Sequence, residues 1–303
     1  MRIGHRAAAV AIKYGHLLAK TNPARRFLLH DNRLSFRSIG ASLAVFDAAL
    51  PPPPPVPHEQ CRMSKTASRD PARFARLMAR RRDRGALASS LRGMPYASLV
   101  TVAADFDASP LLLLSDLAQH SRNIAFDPRV SLLLDGTEGA ADPLAGPRLT
   151  LLGQAEIVAD PHRLARFVAR HPSSALYAGF ADFRLYRIVV ERGHLVAGFG
   201  RIEWIDGRDL LWASDAAAFA AAEPALLRQL DEARPGAADL LADALLGLSG
   251  DGWRITGIDP EGADFRREGD TARLDFADPV SSPEAARAVL GGLVGEARRQ
   301  HAR

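Results

Sequence analysis

The sequence predicts an α+β protein, a β-barrel followed by a small α+β domain, and three observations predict it. From Pro95 to Trp212 short apolar runs of strand length recur, with turn signals about every ten residues, which argues for a barrel rather than a parallel α/β sheet. From Ala216 the character changes to Ala- and Leu-rich helical sequence, followed by two strand-like stretches and a last helix. Before Met63 the chain ends a separate stretch with PPPPPVP, whose fixed φ angles and missing amide donors favour extended polyproline structure over a core. These changes divide the chain into a leader over 1–62, a barrel over 63–215 and a small domain over 216–303.

Asp70-Pro71 starts the first helix of the body, a capping carboxylate followed by proline at the first helical position. Phe74, Leu77 and Met78 recur at helical spacing, which puts the arginines of this segment on the outer face. Gly85 marks a break, and ALASSL beyond it is compatible with a continued helical turn. Pro95 to Ala103 alternates as a strand, Asp105 to Ser109 is a turn, and Pro110 to Ser115 is a short apolar strand. DLAQHSRNIAFDP reads as a short helix or loop that Pro128 closes. Val130 to Leu134 and Arg148 to Val158 are further strands, and Gly153 in the second marks a bulge or a close backbone approach. Asp160-Pro161 starts a helix with Leu164, Phe167 and Val168 on its apolar side. Phe183 to Val190 and Leu195 to Phe199 read as a hairpin turning at Arg192-Gly193, and Trp204 and Leu210 to Trp212 continue the strand pattern.

In the small domain, helical sequence runs to about Leu246 and is broken at Pro235-Gly236. GWRITGID and ARLDFADPV are strand-like. A helix from Pro283 to Arg299 follows, with Ser282 as cap, proline at its first position and Glu284 in its first turn.

The net charge of +4 invites a nucleic-acid reading, but its location argues against one. The leader holds nine basic residues and three acids, so the body is slightly acidic and offers no basic surface for a phosphate backbone. No apolar run approaches the roughly 18–20 residues that cross a bilayer, so no membrane partner is expected. The one cysteine, Cys61, also lies in the leader; a cysteine-free body has no disulfide or thiolate metal site and fits a reducing cytoplasm. Met63 reads as the true start of the protein, with a disordered tail or an organellar transit peptide as the other readings of the leader. Arg25-Arg26 followed by Phe-Leu-Leu resembles a twin-arginine export signal, yet HDNRLSFR stands where the apolar region belongs.

The densest signals are Gly93-Met94-Pro95-Tyr96-Ala97-Ser98-Leu99, then Leu114-Ser115-Asp116-Leu117-Ala118-Gln119-His120-Ser121-Arg122-Asn123, Asp127-Pro128-Arg129-Val130-Ser131-Leu132, and Arg148-Leu149-Thr150 with Gly153. Asp182-Phe183-Arg184-Leu185-Tyr186-Arg187 and Gly198-Phe199-Gly200-Arg201 follow. In this order they resemble the HugZ-like haem-utilisation branch of the FMN-binding split β-barrels, the superfamily of pyridoxamine 5′-phosphate oxidase, nearly continuously from Gly93 to Ile205. The stretch from Gly252-Trp253-Arg254 to Asp259-Pro260-Glu261-Gly262-Ala263-Asp264 resembles the small domain of unknown function often fused to that barrel.

The resemblance implies an FMN-binding split barrel, a homodimer that completes each flavin site with both subunits, and oxidoreductase chemistry. FMN needs a cradle for its phosphate, polar groups on the pyrimidine edge and an apolar wall. Ser115, Ser121, Arg122 and Asn123 offer hydroxyls, a guanidinium and an amide after a strand, and Arg122 suits charge-assisted phosphate contacts. Ser98, on the adjacent strand, and Arg148, on a later one, are second contributors. Asn123 and Ser121 equally suit a turn or a helix cap. His120 has three readings: a bond to the flavin or its phosphate, a haem ligand, or a structural imidazole. Tyr96 and Trp204 suit either a flavin wall or the core. Arg201 suits either approach to the cofactor from a partner subunit or a solvated surface.

Two departures narrow the function. The body has one lysine, Lys65, and none in the barrel, so arginine must take the phosphate role that lysine plays in the vitamin-forming oxidases; the vitamin B6 pattern itself is not recognisable. Where relatives carry His-Met-Asn-x-Asp-His before Gly-Trp-Arg, this chain has Gln229-Leu230-Asp231-Glu232-Ala233-Arg234, which removes both histidines. His120, His162, His171, His194 and His301 remain in the body, without HxxxH or HExxH spacing, so no metal site is expected. There is no GxSxG elbow, GxxxxGK[ST] loop or GxGxxG opening a helix. The sequence thus points to a cytoplasmic FMN-binding split-barrel flavoprotein that is a small-molecule oxidoreductase. The alternative is a non-catalytic haem or tetrapyrrole-binding protein on the same barrel.

Overall fold

A computed structural model describes residues 26–30, 33–37, 70–198, 201–212 and 216–301. The proposed start at Met63, Cys61, Lys65, the polyproline run and Phe199-Gly200 lie outside the described residues. The chain forms two compact units, Met1–His58 and Glu59–Arg303. In the first, β1 (Arg26–His30) and β2 (Arg33–Arg37) pair antiparallel.

The second unit opens with α1 (Pro71–Arg81). The Asp70 carboxylate accepts from Ala72 N at 2.9 Å and Arg73 N at 3.0 Å, and Pro71 takes the first position, as its missing N–H allows. The segment after Gly85 is not helical. It is β3 (Arg84–Leu91), turned into β4 (Met94–Thr101) by Arg92 and Gly93, both at positive φ, the two-residue loop that matches strand twist. The ALASSL stretch alternates with period two: Leu87 and Ser89 are buried and Ala86 is exposed.

The barrel sheet is antiparallel, in the order β4-β3-β7-β8-β9-β6-β5, and β10 joins β9. Its other strands are β5 (Ala103–Ala104), β6 (Pro110–Ser115), β7 (Arg129–Asp135), β8 (Pro147–Ile157), β9 (Phe183–Ala197) and β10 (Ile202–Asp206). The expected bulge lies between Leu152 and Gly153, where a Cβ on Gly153 would meet Val189 O at 2.0 Å. The expected hairpin at Arg192-Gly193 does not exist, because β9 runs unbroken through it. Gly193 is needed for packing instead: a Cβ there would sit 2.3 Å from Leu210 Cδ1. The turn lies between β9 and β10, and Leu210 ends a short helix, α4 (Gly207–Leu210), rather than continuing a strand.

Leu87, Val100, Leu112, Leu132, Leu134, Leu149, Leu151, Ile188 and Leu195 fill the inner face. Each such side chain contributes about 1.5–3 kcal/mol when removed from water. On the other face of β6, Leu111 and Leu113 pack with Phe167 of α3 (Pro161–Arg170), so this strand is apolar on both sides. The segment after Ser115, read as a short helix or loop, forms the helix α2 (Gln119–Phe126).

The small domain begins with α5 (Ala216–Ala233) and α6 (Ala237–Leu246), separated at Gly236 in the left-handed region. A three-stranded meander follows: β11 (Arg254–Asp259), β12 (Gly262–Arg267) and β13 (Asp270–Asp275), then α7 (Pro283–His301). β12 escapes sequence reading because Asp264, Arg266 and Arg267 look like loop residues. Here Asp264 is buried against Arg273, whose Nη1 donates to it at 2.9 Å. The helices and the meander close on Phe219, Leu241, Ile258, Phe265, Phe276 and Leu290, and Phe106 from the barrel joins that core.

The arginines of α1 do not lie on an outer face. Arg73, Arg76 and Arg80 are buried, because the small domain supplies their acceptors. Arg73 donates to Phe276 O, Arg76 to Glu261 at 3.0 Å, and Arg80 pairs with Asp259 at 3.0 Å. Arg166 of α3 joins them through Glu223 and Asp259, and Arg273 closes the network on Asp259. Among the described residues no helix is long and apolar enough to cross a membrane.

Candidate functional site

α2 lies against β3 at one end of the barrel's inner face and brings His120 over β4. His120 Nδ1 and Ser98 Oγ are hydrogen-bonded at 3.1 Å, the imidazole tautomer deciding which one donates. The ring is half-buried, and that burial pushes its pKa below the ordinary histidine value, so the neutral form prevails at pH 7. Nε2 of His120 has no hydrogen-bond partner among the described residues. A neutral imidazole with one nitrogen anchored and the other free can ligate iron or accept a hydrogen bond.

One turn along α2, Asn123 is buried, donates to Ser89 Oγ at 3.0 Å and accepts from Gln119 at 2.8 Å. Ser121 is buried too, but its hydroxyl has no partner. No side chain caps the start of α2, so its first-turn amides have no side-chain acceptor of their own. Tyr96 pairs with Ser89 across the β3–β4 ladder and stands half-buried two residues before Ser98, on the same face.

Of the eight residues singled out from sequence, Ser98, His120, Ser121 and Asn123 are gathered here. Ser115 is engaged elsewhere: its hydroxyl donates to Asp182 at 2.8 Å and accepts from Leu117 N. Arg122 is exposed, between the buried Ser121 and Asn123. Arg148 pairs in the ladder with Asp135 and Val196, away from Ser98, and donates to Leu144 O at 2.9 Å. Arg201 lies with its guanidinium 5.8 Å from the Phe74 ring. Within one chain, then, the three arginines do not converge on His120.

Ser89 and Gln119 belong to the cluster and were not singled out. Period-two alternation from Gly85 to Ser89 was the available signal for Ser89, masked by helical propensity. Gln119 stands four residues before Asn123, a spacing that brings side chains together on a helix.

The opposite, outer face of the sheet carries a row in register: Leu99, Ala86, Leu133, Thr150, His194 and Trp204. Leu99 is 76% and Trp204 53% exposed, while His194 stacks on Trp204 at 4.4 Å. In the small domain, Gln229 and Arg234, which replace the relatives' histidines, line a groove with Glu284 and Arg287. Arg234 donates to Gly291 O at 2.8 Å.

A family model described as CREG, beta-barrel, matches residues 66–211. The chloroplastic heme oxygenase HOZ of Arabidopsis thaliana is 36% identical over 111 residues, 35% of this chain and 33% of that protein. Heme oxygenase HutZ of Vibrio cholerae is 32% identical over 107 residues, 33% of this chain and 61% of that protein. The chain therefore spans about a third and three fifths of these two relatives. The solved structure of protein Atu2129 from Agrobacterium tumefaciens, of unknown function, is 29% identical with a TM-score of 0.62 and covers 76% of this chain and 98% of its own. That coverage extends past the barrel into the small domain. Motif order, the curled antiparallel sheet and these relatives together support a HugZ-like split-barrel family for this chain.

Proposed function

We propose that the protein binds haem in the split barrel, with His120 Nε2 facing the iron. The observation that carries this reading is the half-buried, neutral His120, anchored through Nδ1 on Ser98 and free at Nε2. Both named relatives are heme oxygenases, and their likeness supports a haem ligand here. When bound, haem supplies redox and oxygen chemistry. Ser98 fixes the imidazole's orientation, and Arg122, exposed between the buried Ser121 and Asn123, is available to a propionate. Leu117, just before α2, and Phe126 at its end are exposed and provide apolar surface for a macrocycle.

A second reading, FMN and oxidoreductase chemistry, is favoured by a different observation. The orphaned Ser121 hydroxyl beside uncapped first-turn amides suits a phosphate. The two readings separate on the absorption spectrum of the full chain, as isolated and during haemin titration. A saturable Soret band supports haem. Flavin absorbance that is lost in Ser121→Ala, without a Soret response to haemin, supports FMN instead.

The homodimer belongs to this proposal: the outer-face row from Leu99 to Trp204 closes against a second copy. Light scattering is expected to give twice the chain mass, and Trp204→Asp to give one. A cytoplasmic location completes the reading.

A further inference from the structure

The small domain holds a groove on elements that the haem reading does not use. It lies between the end of α5 and the first turns of α7 and encloses about 390 Å³, within the range of small-molecule sites. Glu284, Arg287, Ala288 and Gly291 line it at the spacing i, i+3, i+4 and i+7, one stripe along α7. Leu230, Ala233 and Arg234 face them from the end of α5.

The charged groups of this groove are not engaged with one another. Glu284 and Arg287 form no ion pair or side-chain hydrogen bond among the described residues, although they stand three residues apart on one helix. Arg234 is half-buried and held at one corner: its Nη1 donates to Gly291 O at 2.8 Å. Nε and Nη2, the edge that takes a carboxylate side-on, have no partner among the described residues. Gly291 makes this seat possible. A Cβ there would stand 3.2 Å from both Nη1 and Nη2, so the missing side chain lets the guanidinium lie against the α7 backbone. Glycine weakens a helix interior, and Gly291 has no positive φ that would call for one.

The charges also follow an order along α7. At a rise of about 1.5 Å per residue, Glu284 and Arg287 are about 4.5 Å apart along the axis. Arg287 and Gly291, where Arg234 is seated, are about 6 Å apart. A carboxylate fits between two guanidinium groups at that second interval, accepting at about 2.8 Å from each. An ammonium group on the next carbon then meets Glu284. Leu230, Ala233 and Ala288 leave an apolar floor for the remainder of such a ligand.

We propose that this groove binds an α-amino acid with an apolar side chain. Arg234 and Arg287 receive its carboxylate and Glu284 its ammonium group. A phosphate dianion fits less well, because Glu284 repels it.

The test is isothermal titration calorimetry of the full chain with three compounds of one skeleton. These are L-leucine, 4-methylpentanoate, which lacks the ammonium group, and 3-methylbutylamine, which lacks the carboxylate. L-leucine is expected to bind saturably and at least about tenfold more tightly than either truncated compound. In Glu284→Gln its preference over 4-methylpentanoate should disappear. In Arg234→Gln the affinity for L-leucine should fall by about tenfold or more. The comparison of the three compounds on the unaltered protein needs no variant. No saturable heat with L-leucine up to about 20 mM, or equal affinity for all three compounds, would overturn the site. Unchanged L-leucine affinity in Arg234→Gln would overturn it as well.

Discussion

The buried arginine network and the His120 cluster are both polar and both depart from an apolar core, yet they are built on opposite principles. The network holds full charges, almost every one matched within about hydrogen-bond reach, and it ties α1 and α3 to the meander. The His120 cluster is neutral, half-buried and incomplete: Nε2 of His120 and the Ser121 hydroxyl have no partner among the described residues. Density of charge marks structure in this molecule. Unsatisfied polarity marks the candidate site.

The sharpest way to break this contrast is at the network's centre. Asp259 receives Arg80, Arg166 and Arg273, so Asp259→Asn is expected to destabilise by about 3–5 kcal/mol in denaturant unfolding, because guanidinium charges are left buried without their partner. A loss below 1 kcal/mol, on the order of an exposed pair, would make the network ornamental. The same residue sets an acid dependence. Burial alone would raise its pKa, but Arg273 and Arg80 hold the folded carboxyl below its ordinary value. The stability it contributes is therefore fully present above the unfolded carboxylate range and is lost as pH falls below about 4. Unfolding titrated from pH 7 to 3 should show that decline and Asp259→Asn should flatten it.

Smaller effects belong to the neutral cluster. Asn123→Ala strands Ser89 and Gln119 and is expected to cost about 1–3 kcal/mol by denaturant melt. A neutral outcome there would mean that water replaces the amide. Smaller still is the histidine itself. An NMR titration of His120 should give a midpoint below the ordinary value of about 6.5, since burial disfavours the imidazolium. Because its folded pKa is depressed, protonation of His120 opposes folding as pH falls through its unfolded value, not above it. A midpoint above that value would show that a carboxylate reaches the ring and that the neutral description is mistaken.

Much of this was legible in the sequence, and the misses share a cause. Asp70-Pro71, Asp160-Pro161 and Ser282-Pro283 placed helix starts because capping is local chemistry. Gly153 announced its bulge for the same reason. What failed was what depends on distant partners. Arg73, Arg76 and Arg80 looked solvated because their acceptors lie about 180–200 residues away, and β12 looked like loop because Asp264 finds Arg273 only in the meander. Arg192-Gly193 looked like a turn because the Leu210 side chain that demands a glycine there is invisible locally. The site divides in the same way: Ser98, His120, Ser121 and Asn123 were legible from motif order, whereas Ser89 enters only through strand pairing.

The most direct test of the haem reading is the electronic absorption and EPR spectrum of the haemin-loaded full chain beside His120→Ala. Imidazole ligation in the wild type, lost in His120→Ala while the melting curve is retained, is the predicted result. Identical spectra and affinities in the two proteins would contradict it and remove His120 from the iron.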